Sequence, residues 1–349
     1  MKLTDLFPYP IVQGPMAGGA NTPAMVAAVS NAGGLGSIGA SLLVPAVIRD
    51  HVAQIRALTD KPFAINLFVQ QTPNPGAEEI RAAVALLQPV WSALGWDDLP
   101  VPEKWCESFD AQFDLLLELK PAVASFTFNS LSQDQVHCLR NAGIVVVGTA
   151  TTLEEAQHWQ SVGANAVVAS GVEAGGHRGT FLVPQSEATE SVWELGPKVC
   201  TALDIPVILA GGMMHGDDIR RALQAGAQAV QMGTAFLVTD ESGIHPAYKQ
   251  RLIAAANDPT ASTRLTRSFS GRYARGLVNR FMQLMESVEV HVPAYPVQNA
   301  LTGSIRAQAG KLADTEFMSL WAGTRVKHAR AMTVAQLMTT LIKEYQADI

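Results

Sequence analysis

The chain has 349 residues, of which 48% are hydrophobic, and a formal net charge of -6 at pH 7. This length fits two domains or one large α/β barrel with additions, and either arrangement can enclose an active site. The mildly acidic balance, without a long basic run, argues against a nucleic-acid or anionic-membrane partner. We therefore expect a small-molecule ligand.

Three cysteines, Cys106, Cys138 and Cys200, are too far apart for the close spacings of zinc or disulfide frameworks, so they predict free thiols in a reducing compartment. The N-terminal stretch MKLTDLFPYP lacks the apolar run of a signal peptide, and no apolar segment is long enough to cross a bilayer. We expect a cytoplasmic protein without a membrane partner.

The strongest pattern along the chain is a short recurring motif in which an amphipathic helix ends in glycine and an apolar strand follows. It occurs as NAGGLGSIG (31–39), NAGIVVVG (141–148), SVGANAVVASG (161–171) and QAGAQAVQMG (224–233). A helix needs a residue that tolerates positive φ just past its last turn, and a strand covered on both faces is almost continuously apolar. The motif therefore predicts parallel βα units.

Eight strands are predicted in this way, and helices fit between most of them. The strands are expected near 10–16, 35–40, 63–69, 122–128, 144–150, 166–171, 206–212 and 229–236. Two helix starts are explicit: Thr22 is an N-cap with Pro23 in the first helical position, and Thr152 with Glu155 predicts a capping box. Eight βα units predict a TIM barrel with its active site at the C-terminal strand ends. A doubly wound sheet is the alternative, because periodicity alone cannot show closure.

Two segments interrupt the repeat and divide the chain. Residues 1–241 are predicted to form the barrel, with an excursion at about 70–117. Residues 242–314 are predicted to form a smaller, mainly helical cap over the barrel mouth, with helical patterns in HPAYKQRLIAAAND and SGRYARGLVNRFMQL. Residues 315–349 are predicted to form C-terminal helices, DTEFMSLWAGTRVKHARAM and TVAQLMTTLIKEY, that pack back on the barrel.

The segments that follow the predicted strands converge on the barrel mouth and are rich in glycine. They are QGPMAGGANT after the first strand, Asn66 in INLFV at the third, SGVEAGGHRGTF after the sixth, AGGMMHGDD after the seventh and QMGTAF at the eighth. Glycines let backbone N–H groups approach a ligand, and the loops after strands seven and eight of a barrel often bind phosphate. Because no GK[ST] or GxGxxG fingerprint is present, FMN with its single phosphate fits better than a dinucleotide.

His177 is the candidate for chemistry in this mouth. Glu173 and His177 offer two possible metal ligands, but no third is evident nearby, so we predict no metal site. No Ser or Cys lies in a nucleophile-elbow pattern. The remaining roles for His177 are general acid or base catalysis and hydrogen bonding to an anionic group.

Other polar residues near the mouth have less specific signals. Tyr295, in the predicted cap, is a candidate for the wall of the substrate pocket, with a packing role as the alternative. Arg275 and Arg280 either bind a carboxylate or tie the cap to the barrel, and we favour the structural role. His215 is expected at the start of its helix.

The motifs QGPMAGG, NAGGLGS, GTATTLEEA, GVEAGGHRGTF, ILAGGM, QMGTAF and ARGLVNRF occur in this order, from about residue 10 to the closing LWAG at 320–323. As a set they resemble the class I nitronate monooxygenases. The resemblance implies a TIM-barrel FMN domain with a smaller substrate domain. It also implies oxidation of alkyl nitronates, such as propionate 3-nitronate, by molecular oxygen without a nicotinamide reductant.

The resemblance further implies which residues act. His177 matches the catalytic histidine of the family, which would hydrogen-bond the nitro oxygens or deprotonate a neutral nitroalkane. Ser170 stands where the family usually has glutamine, so this side-chain contact to the flavin would differ. The predicted cofactor-binding residues are Met16, Ala17, Asn66, Ser170, Gly175, Gly176, Gly211, Gly212, Gln231, Met232, Gly233 and Thr234.

Two other functions are open at the level of sequence. An FMN-dependent NAD(P)H:quinone or enoyl-thioester reductase shares the EAGGH loop and needs a nicotinamide donor. A protein that only sequesters a flavin or phosphate would gain nothing from a histidine in the mouth. The expected partners are a small nitronate and molecular oxygen, and the expected assembly is a monomer or homodimer.

Overall fold

The computed structural model describes residues 2–347, so Met1, Asp348 and Ile349, which belong to the predicted terminal segments, lie outside the described residues. The strands are β1 (Ile11–Gln13), β2 (Gly36–Gly39), β3 (Phe63–Phe68), β4 (Val123–Thr127), β5 (Val145–Ala150), β6 (Ala166–Ser170), β7 (Gly176–His177), β8 (Val207–Ala210), β9 (Ala229–Met232), β10 (Thr263–Thr266) and β11 (Ala274–Leu277). Eight of them form one parallel sheet in the order β1-β9-β8-β6-β5-β4-β3-β2, and β7, β10 and β11 form a second, three-stranded sheet.

The eight-stranded sheet closes on itself. Leu35, just before β2, bridges Val12 of β1, donates its N–H to the carbonyl of Ile11 at 2.9 Å and accepts from Gln13 N at 3.0 Å. Each of the eight predicted strands coincides with a strand of this sheet. Closure decides between the two folds that the sequence left open, and the protein is a TIM barrel.

Helices lie between most of the barrel strands, as predicted. They are α1 (Pro23–Asn31), α2 (Pro45–Leu58), α3 (Ala77–Leu86), α4 (Gln88–Ala93), α5 (Phe109–Leu119), α6 (Gln133–Asn141), α7 (Leu153–Ser161), α8 (Val192–Ala202), α9 (Gly216–Gln224), α10 (Thr234–Leu237), α11 (Pro246–Ala254), α12 (Arg280–Met285), α13 (Val297–Leu301), α14 (Gly303–Leu312) and α15 (Val334–Gln346). The Thr22 hydroxyl caps α1 by accepting from Met25 N at 3.0 Å, as expected. Between residues 2 and 347, no helix is long and apolar enough to cross a membrane.

The capping box predicted at the start of α7 is only partly formed. Thr152 caps α7 by accepting from Glu155 N at 3.2 Å, but the Glu155 carboxylate does not return to the Thr152 N–H as a capping box requires. It accepts instead from the N–H of Thr151 at 2.7 Å and from that of Leu182 at 3.0 Å. Glu155 therefore joins the end of β5 to the chain that follows β7.

The barrel is held by two apolar layers. Its strands are buried on both faces, which explains why they are almost continuously apolar in sequence. One layer packs the strands against the surrounding helices, and Trp159 of α7 is its largest fully buried side chain. The inner layer is drawn from alternate strand positions together with Leu3 and Phe7; it includes Val12, Ala64, Val123, Val147, Val168, Ile208 and Ala229.

The cap has a buried cluster of its own. Phe269 stacks on Phe281 of α12 with ring centroids 3.9 Å apart, and Leu252 and Leu301 are buried beside them. The helices α3 and α4 of the excursion enter the same cluster through Leu87 and its neighbours. Helix α5 instead packs on α2 and β3 of the barrel. The cap is thus mainly helical, as predicted, but it also contains the three-stranded sheet.

Two predicted helices are wrong for the same reason. In SGRYARGLVNRFMQL, residues 274–277 form β11, and only 280–285 are helical. No α-helix forms in the segment DTEFMSLWAGTRVKHARAM. Instead, the carbonyl of Leu320 accepts from Leu277 N at 2.9 Å, and Trp321 forms a β-bridge with Gly276. This part of the segment therefore runs along β11. Pairing between segments distant in sequence overrides the local periodicity in both places. Of the two predicted C-terminal helices, only α15 is formed, and it packs on α1 and α9.

The contact of α7 with β5 requires glycine at position 148. A Cβ built on Gly148 would lie 2.0 Å from the ring of Trp159, whose Nε1 donates to the carbonyl of Thr149 at 3.1 Å. We expect Gly148→Ala to lower the free energy of unfolding by about 1–3 kcal/mol, because the packed ring must move. Urea denaturation measures this change.

The matched control is Gly310→Ala in α14, where the added Cβ meets no atom within 4 Å. This substitution should stabilise the protein by about 0.5–1 kcal/mol through helix propensity. Equal unfolding midpoints for Gly148→Ala and the wild type would show that α7 can shift without cost, contrary to the prediction.

Candidate active site

A cavity of about 540 Å³ opens at the C-terminal ends of the barrel strands and extends under the cap. Its size is in the range of small-molecule and cofactor sites. Of the residues predicted to bind a cofactor or substrate, those that line it are Met16, Ala17, Asn66, Ser170, Gly175, Gly176, His177, Gly211, Gly212, Gln231, Gly233, Thr234 and Tyr295. Met232 does not line it, because its side chain is fully buried and its carbonyl accepts from Gly14 N at 2.8 Å.

Glycines form a narrow cradle at one end of the cavity. Gly211 and Gly212 have φ values of 124° and 68°, which strongly favour glycine. A Cβ on Gly175 would lie 2.5 Å from Gly323 N, so the two backbones approach as closely as glycine permits. Within residues 2–347, no hydrogen bond uses the N–H groups of Gly212 or Met213. Backbone donors are therefore available here for an anion.

A cation adjoins this cradle. Arg325 lines the cavity and donates from Nη1 to the carbonyl of Gly212 at 3.1 Å and to Asp218 at 2.6 Å. Thr234 accepts from Gly323 N at 3.0 Å, which leaves its hydroxyl proton free to bind a ligand. Sequence reasoning missed Arg325 because it placed this residue in a helix. The glycine of LWAG was the one available signal of an irregular segment.

The floor of the cavity is polar and uncharged. Asn66 donates to Ser125 Oγ at 3.0 Å and to Thr127 Oγ1 at 3.3 Å, and Thr127 Oγ1 lies 3.3 Å from Thr149 Oγ1. All four side chains, and Ser170 beside them, line the cavity. The hydroxyls stand on successive strands β4 and β5, so only the closed barrel brings them together.

The loop between β6 and β8 is fixed by two buried charges. Arg178, which is 1% exposed, donates from Nη1 to the carbonyl of Ser170 at 3.1 Å and also to that of Gly171. Glu155, fully buried, accepts from the N–H groups of Phe181 and Leu182 on the other side of the loop. The part of the loop that carries β7 is therefore held on both sides.

Glu173 also has a structural role in this loop. Its carboxylate accepts from Val192 N at 3.0 Å at the start of α8, and its carbonyl accepts from Thr324 N at 3.0 Å. Arg275 donates from Nε to the carbonyl of Val172 at 3.0 Å, so it ties the cap sheet to this loop. The guanidinium of Arg280 lies 5.7 Å from the ring centroid of Phe317, again within the cap. The structural role that we favoured for both arginines agrees with these contacts.

His177 lies on β7, which pairs with β11 of the cap. Its Nε2 is 2.8 Å from Ser270 Oγ, and Ser270 Oγ is 2.9 Å from the carbonyl oxygen of Arg272. A carbonyl can only accept, so the Ser270 proton goes to Arg272, and Ser270 Oγ accepts from His177 Nε2–H. The neutral ring therefore carries its proton on Nε2 and a lone pair on Nδ1, the nitrogen left for a ligand.

Aromatic rings surround His177. The ring centroids of Phe128, Trp321, Tyr295 and Phe68 lie 5.4, 5.6, 5.7 and 6.2 Å from that of His177. This burial, followed by the nearby charges of Arg272 and Arg306, lowers the pKa of His177 to about 3. The imidazole is therefore neutral at neutral pH.

Phe128 is held in an unfavourable backbone conformation beside His177. Its φ is 83°, a region that bulky residues avoid. Its ring stacks on Phe68 with centroids 4.0 Å apart, and the Arg272 guanidinium lies 4.2 Å above it. Strain of this kind persists where surrounding contacts determine it, most often at functional sites. Sequence reasoning missed Phe128, because nothing in FTFNS indicates a positive φ.

His215 begins α9, as expected. Its Nε2 lies 3.0 Å from Nδ1 of His328, outside the cavity. His215 therefore contacts the C-terminal segment at the surface and is not part of the cavity.

A closed TIM barrel with a capped cavity at its C-terminal strand ends, and an imidazole inside that cavity, defines a barrel enzyme. A family model described as nitronate monooxygenase matches residues 1–344. A probable nitronate monooxygenase of Bacillus subtilis is 39% identical over 340 residues, covering 96% of this chain and 95% of the relative. One of Staphylococcus haemolyticus is 38% identical over 338 residues, covering 96% and 94%. The chain belongs to the nitronate monooxygenase family and is an oxidoreductase of that kind, which confirms the resemblance seen in its motifs.

Two solved structures are similar over almost the whole chain. Nitroalkane oxidase from Streptomyces ansochromogenes has a TM-score of 0.90 and 39% identity, covering 99% of this chain and 98% of that chain. FabK from Thermotoga maritima has a TM-score of 0.76 and 28% identity, covering 99% and 96%. Both support the assignment of the barrel and cap.

The neutral state of the half-buried His177 predicts a pH dependence of stability. Its folded pKa of about 3 lies below the ordinary value of 6.5, so between these values the unfolded chain binds one more proton than the folded chain. Stability from this group is complete above pH 6.5 and is lost as the pH falls toward 3. The slope is about 1.4 kcal/mol per pH unit.

We expect His177→Gln to remove this slope. Urea denaturation at several pH values through the window, on wild type and variant, measures the difference. His137→Gln on the exposed face of α6 is the control and should follow the wild type. Parallel pH curves for wild type and His177→Gln would contradict the neutral, buried state.

Proposed function

We propose that the enzyme oxidises alkyl nitronates, such as propionate 3-nitronate, with molecular oxygen and bound FMN, without a nicotinamide reductant. The observation that carries this proposal is the position of His177, a neutral imidazole in an aromatic pocket that opens into the same cavity as the glycine cradle. An apolar pocket that excludes water suits a reactive, electron-rich substrate.

The residues present fit FMN. The cradle offers the N–H groups of Gly212 and Met213, with Gly233 and Thr234 beside them and Arg325 as an adjacent cation, and these would hold the phosphate. The remaining predicted contacts, from Met16 and Asn66 through Ser170 to Gln231, line the cavity along its floor and would face the ring system. When bound, FMN supplies the electron transfer between the nitronate and oxygen.

The chain's own contribution begins with the lone pair on His177 Nδ1. Because Ser270 and the Arg272 carbonyl fix the proton on Nε2, Nδ1 accepts a proton rather than donates one. This suits removal of a proton from the carbon next to a nitro group, which converts a neutral nitroalkane into its nitronate. The imidazolium and nitronate that result attract each other, which offsets the burial that lowers the pKa in the ligand-free cavity.

The aromatic rings contribute shape and dryness. Phe68, Phe128 and Trp321 confine a small alkyl chain beside His177, while Tyr295 closes the pocket from the cap. Oxygen is small and apolar and can enter such a pocket. The expected result is oxidation of the substrate at carbon without competing hydrolysis.

Anaerobic absorbance spectroscopy of the FMN-loaded protein tests the proposed function. Ethylnitronate should change the flavin spectrum, and later oxygen uptake should depend on ethylnitronate. NADH or NADPH should leave the spectrum unchanged. Rapid bleaching by either nicotinamide would instead favour a quinone or enoyl-thioester reductase, and protein that cannot be loaded with FMN would overturn the flavin assignment.

A second test concerns His177 directly. We expect His177→Asn to retain FMN but to lose about 100-fold or more of its turnover on neutral nitroethane, since it lacks the base. The loss on ethylnitronate should be smaller, because that substrate has already lost its proton. Oxygen uptake with each substrate measures the two losses.

Flavin content of the variant, from its absorbance, controls for loss of the cofactor. Equal losses on nitroethane and ethylnitronate would assign His177 to a step that both substrates share, and would reject the role of proton acceptor. Unchanged turnover on both would remove His177 from the site.

A further inference from the structure

Arg306 of α14 lines the cavity and is incompletely paired. Its Nη2 donates to the carbonyl of Asn299 at 2.7 Å and to Asn299 Oδ1 at 3.1 Å. Its Nε is buried without a hydrogen-bond partner, and no hydrogen bond between residues 2 and 347 uses Nη1. The hydroxyl of Tyr295, which lines the same part of the cavity, is also buried and unpartnered. Two groups able to donate hydrogen bonds therefore lack acceptors here.

The charge of Arg306 is also unmatched. Burial lowers the pKa of Arg306 to about 10, so the guanidinium stays charged at neutral pH, and among the described residues only Tyr295 acts on it to raise that pKa. The Arg306 side chain is half-buried at the cavity wall, and a cation withdrawn from water without an anionic partner is costly unless something else neutralises it. The cavity leaves room for a ligand that brings the negative charge.

The other charged groups around the pocket cannot serve an anionic ligand in this way. Arg272 donates from Nε to the carbonyl of Arg178 at 2.9 Å and from Nη2 to that of Thr180, and it stacks on Phe128. His177 is neutral, and its available Nδ1 repels an anionic oxygen. Arg325 lies at the cradle and binds Gly212 and Asp218. Among residues 2–347, Arg306 is therefore the cavity-lining arginine at the substrate end with N–H groups that have no acceptor.

We propose that Arg306 and the Tyr295 hydroxyl form a subsite for a planar oxyanion of the substrate. The guanidinium is planar and binds two-oxygen anions with charge-assisted hydrogen bonds. Nitronate and carboxylate groups share this chemistry. The choice of substrate rests on the proposed function, whereas binding of an oxyanion does not.

Three variants separate this role from a structural one. Arg306→Gln removes the charge, Arg306→Lys keeps the charge but not the planar group, and Tyr295→Phe removes only the hydroxyl. Arg267→Gln is the matched control: Arg267 Nε is also buried without a partner, and its Nη2 donates to a carbonyl at 3.1 Å, but it does not line the cavity.

The first measurement is independent of catalysis. Isothermal titration of the FMN-loaded protein with sodium nitrate, a planar oxyanion, should give binding to the wild type and to Arg267→Gln. Binding should weaken by about 10- to 100-fold in Arg306→Gln, as expected for loss of a charged hydrogen-bond donor, and less in Tyr295→Phe and Arg306→Lys. Equal nitrate binding by wild type and all three site variants would overturn the proposal.

The second measurement identifies which group of the substrate is bound. If Arg306→Gln raises KM about equally for ethylnitronate and propionate 3-nitronate, the subsite holds the nitronate oxygens; if KM rises only for propionate 3-nitronate, it holds the carboxylate. Unchanged KM for both, with kcat also unchanged, would overturn the subsite. Nitrate binding that depends on Arg306 in a protein that oxidises no nitronate would leave the subsite standing and reject the proposed function alone.

Discussion

The active site depends on one constraint: the loop between β6 and β8 is clamped by two buried charges. Arg178 binds carbonyl groups where the loop leaves β6, and Glu155 binds the N–H groups of Phe181 and Leu182, just after β7. Each charged group forms several charge-assisted hydrogen bonds with backbone groups, and these offset the cost of burying it, although Arg178 Nε has no partner. The glycine-rich segment is thereby anchored to fixed partners on both sides of β7.

This anchored segment places His177 between the barrel and the cap. Because Gly176 and His177 pair with β11, the loop is a strand of the cap sheet as well as a barrel loop. The imidazole is therefore oriented from the barrel through Arg178 and from the cap through Ser270. A movement of the cap relative to the barrel would change the ring's hydrogen bond and its aromatic surroundings together. Which ring nitrogen of His177 carries the proton thus depends on contacts from both the barrel and the cap.

The sequence predicted what local patterns encode, and it missed what distant segments decide jointly. The glycine that ends each helix and the apolar strand that follows recur in βα units, so the eight strands and the glycine loops were recognisable. The cap sheet was not, because ARGL becomes a strand only by pairing with His177 and with residues near Trp321. Ser270 and Arg306 carry no motif of their own. Their roles come from distances across the fold, which one sequence does not contain.

The charge of Arg306 also acts on His177, another polar side chain at this end of the cavity. The charge of Arg306 helps to lower the pKa of His177, and so helps to keep the ring unprotonated while no ligand is bound. An anion bound to Arg306, as proposed above, would weaken this effect, which is smaller than the effects of burial and of Arg272 on the same pKa. The proposed subsite would in this way couple the charge of the substrate to the proton affinity of His177. A carboxylate from the protein at the same position would stabilise the fold but would abolish this coupling.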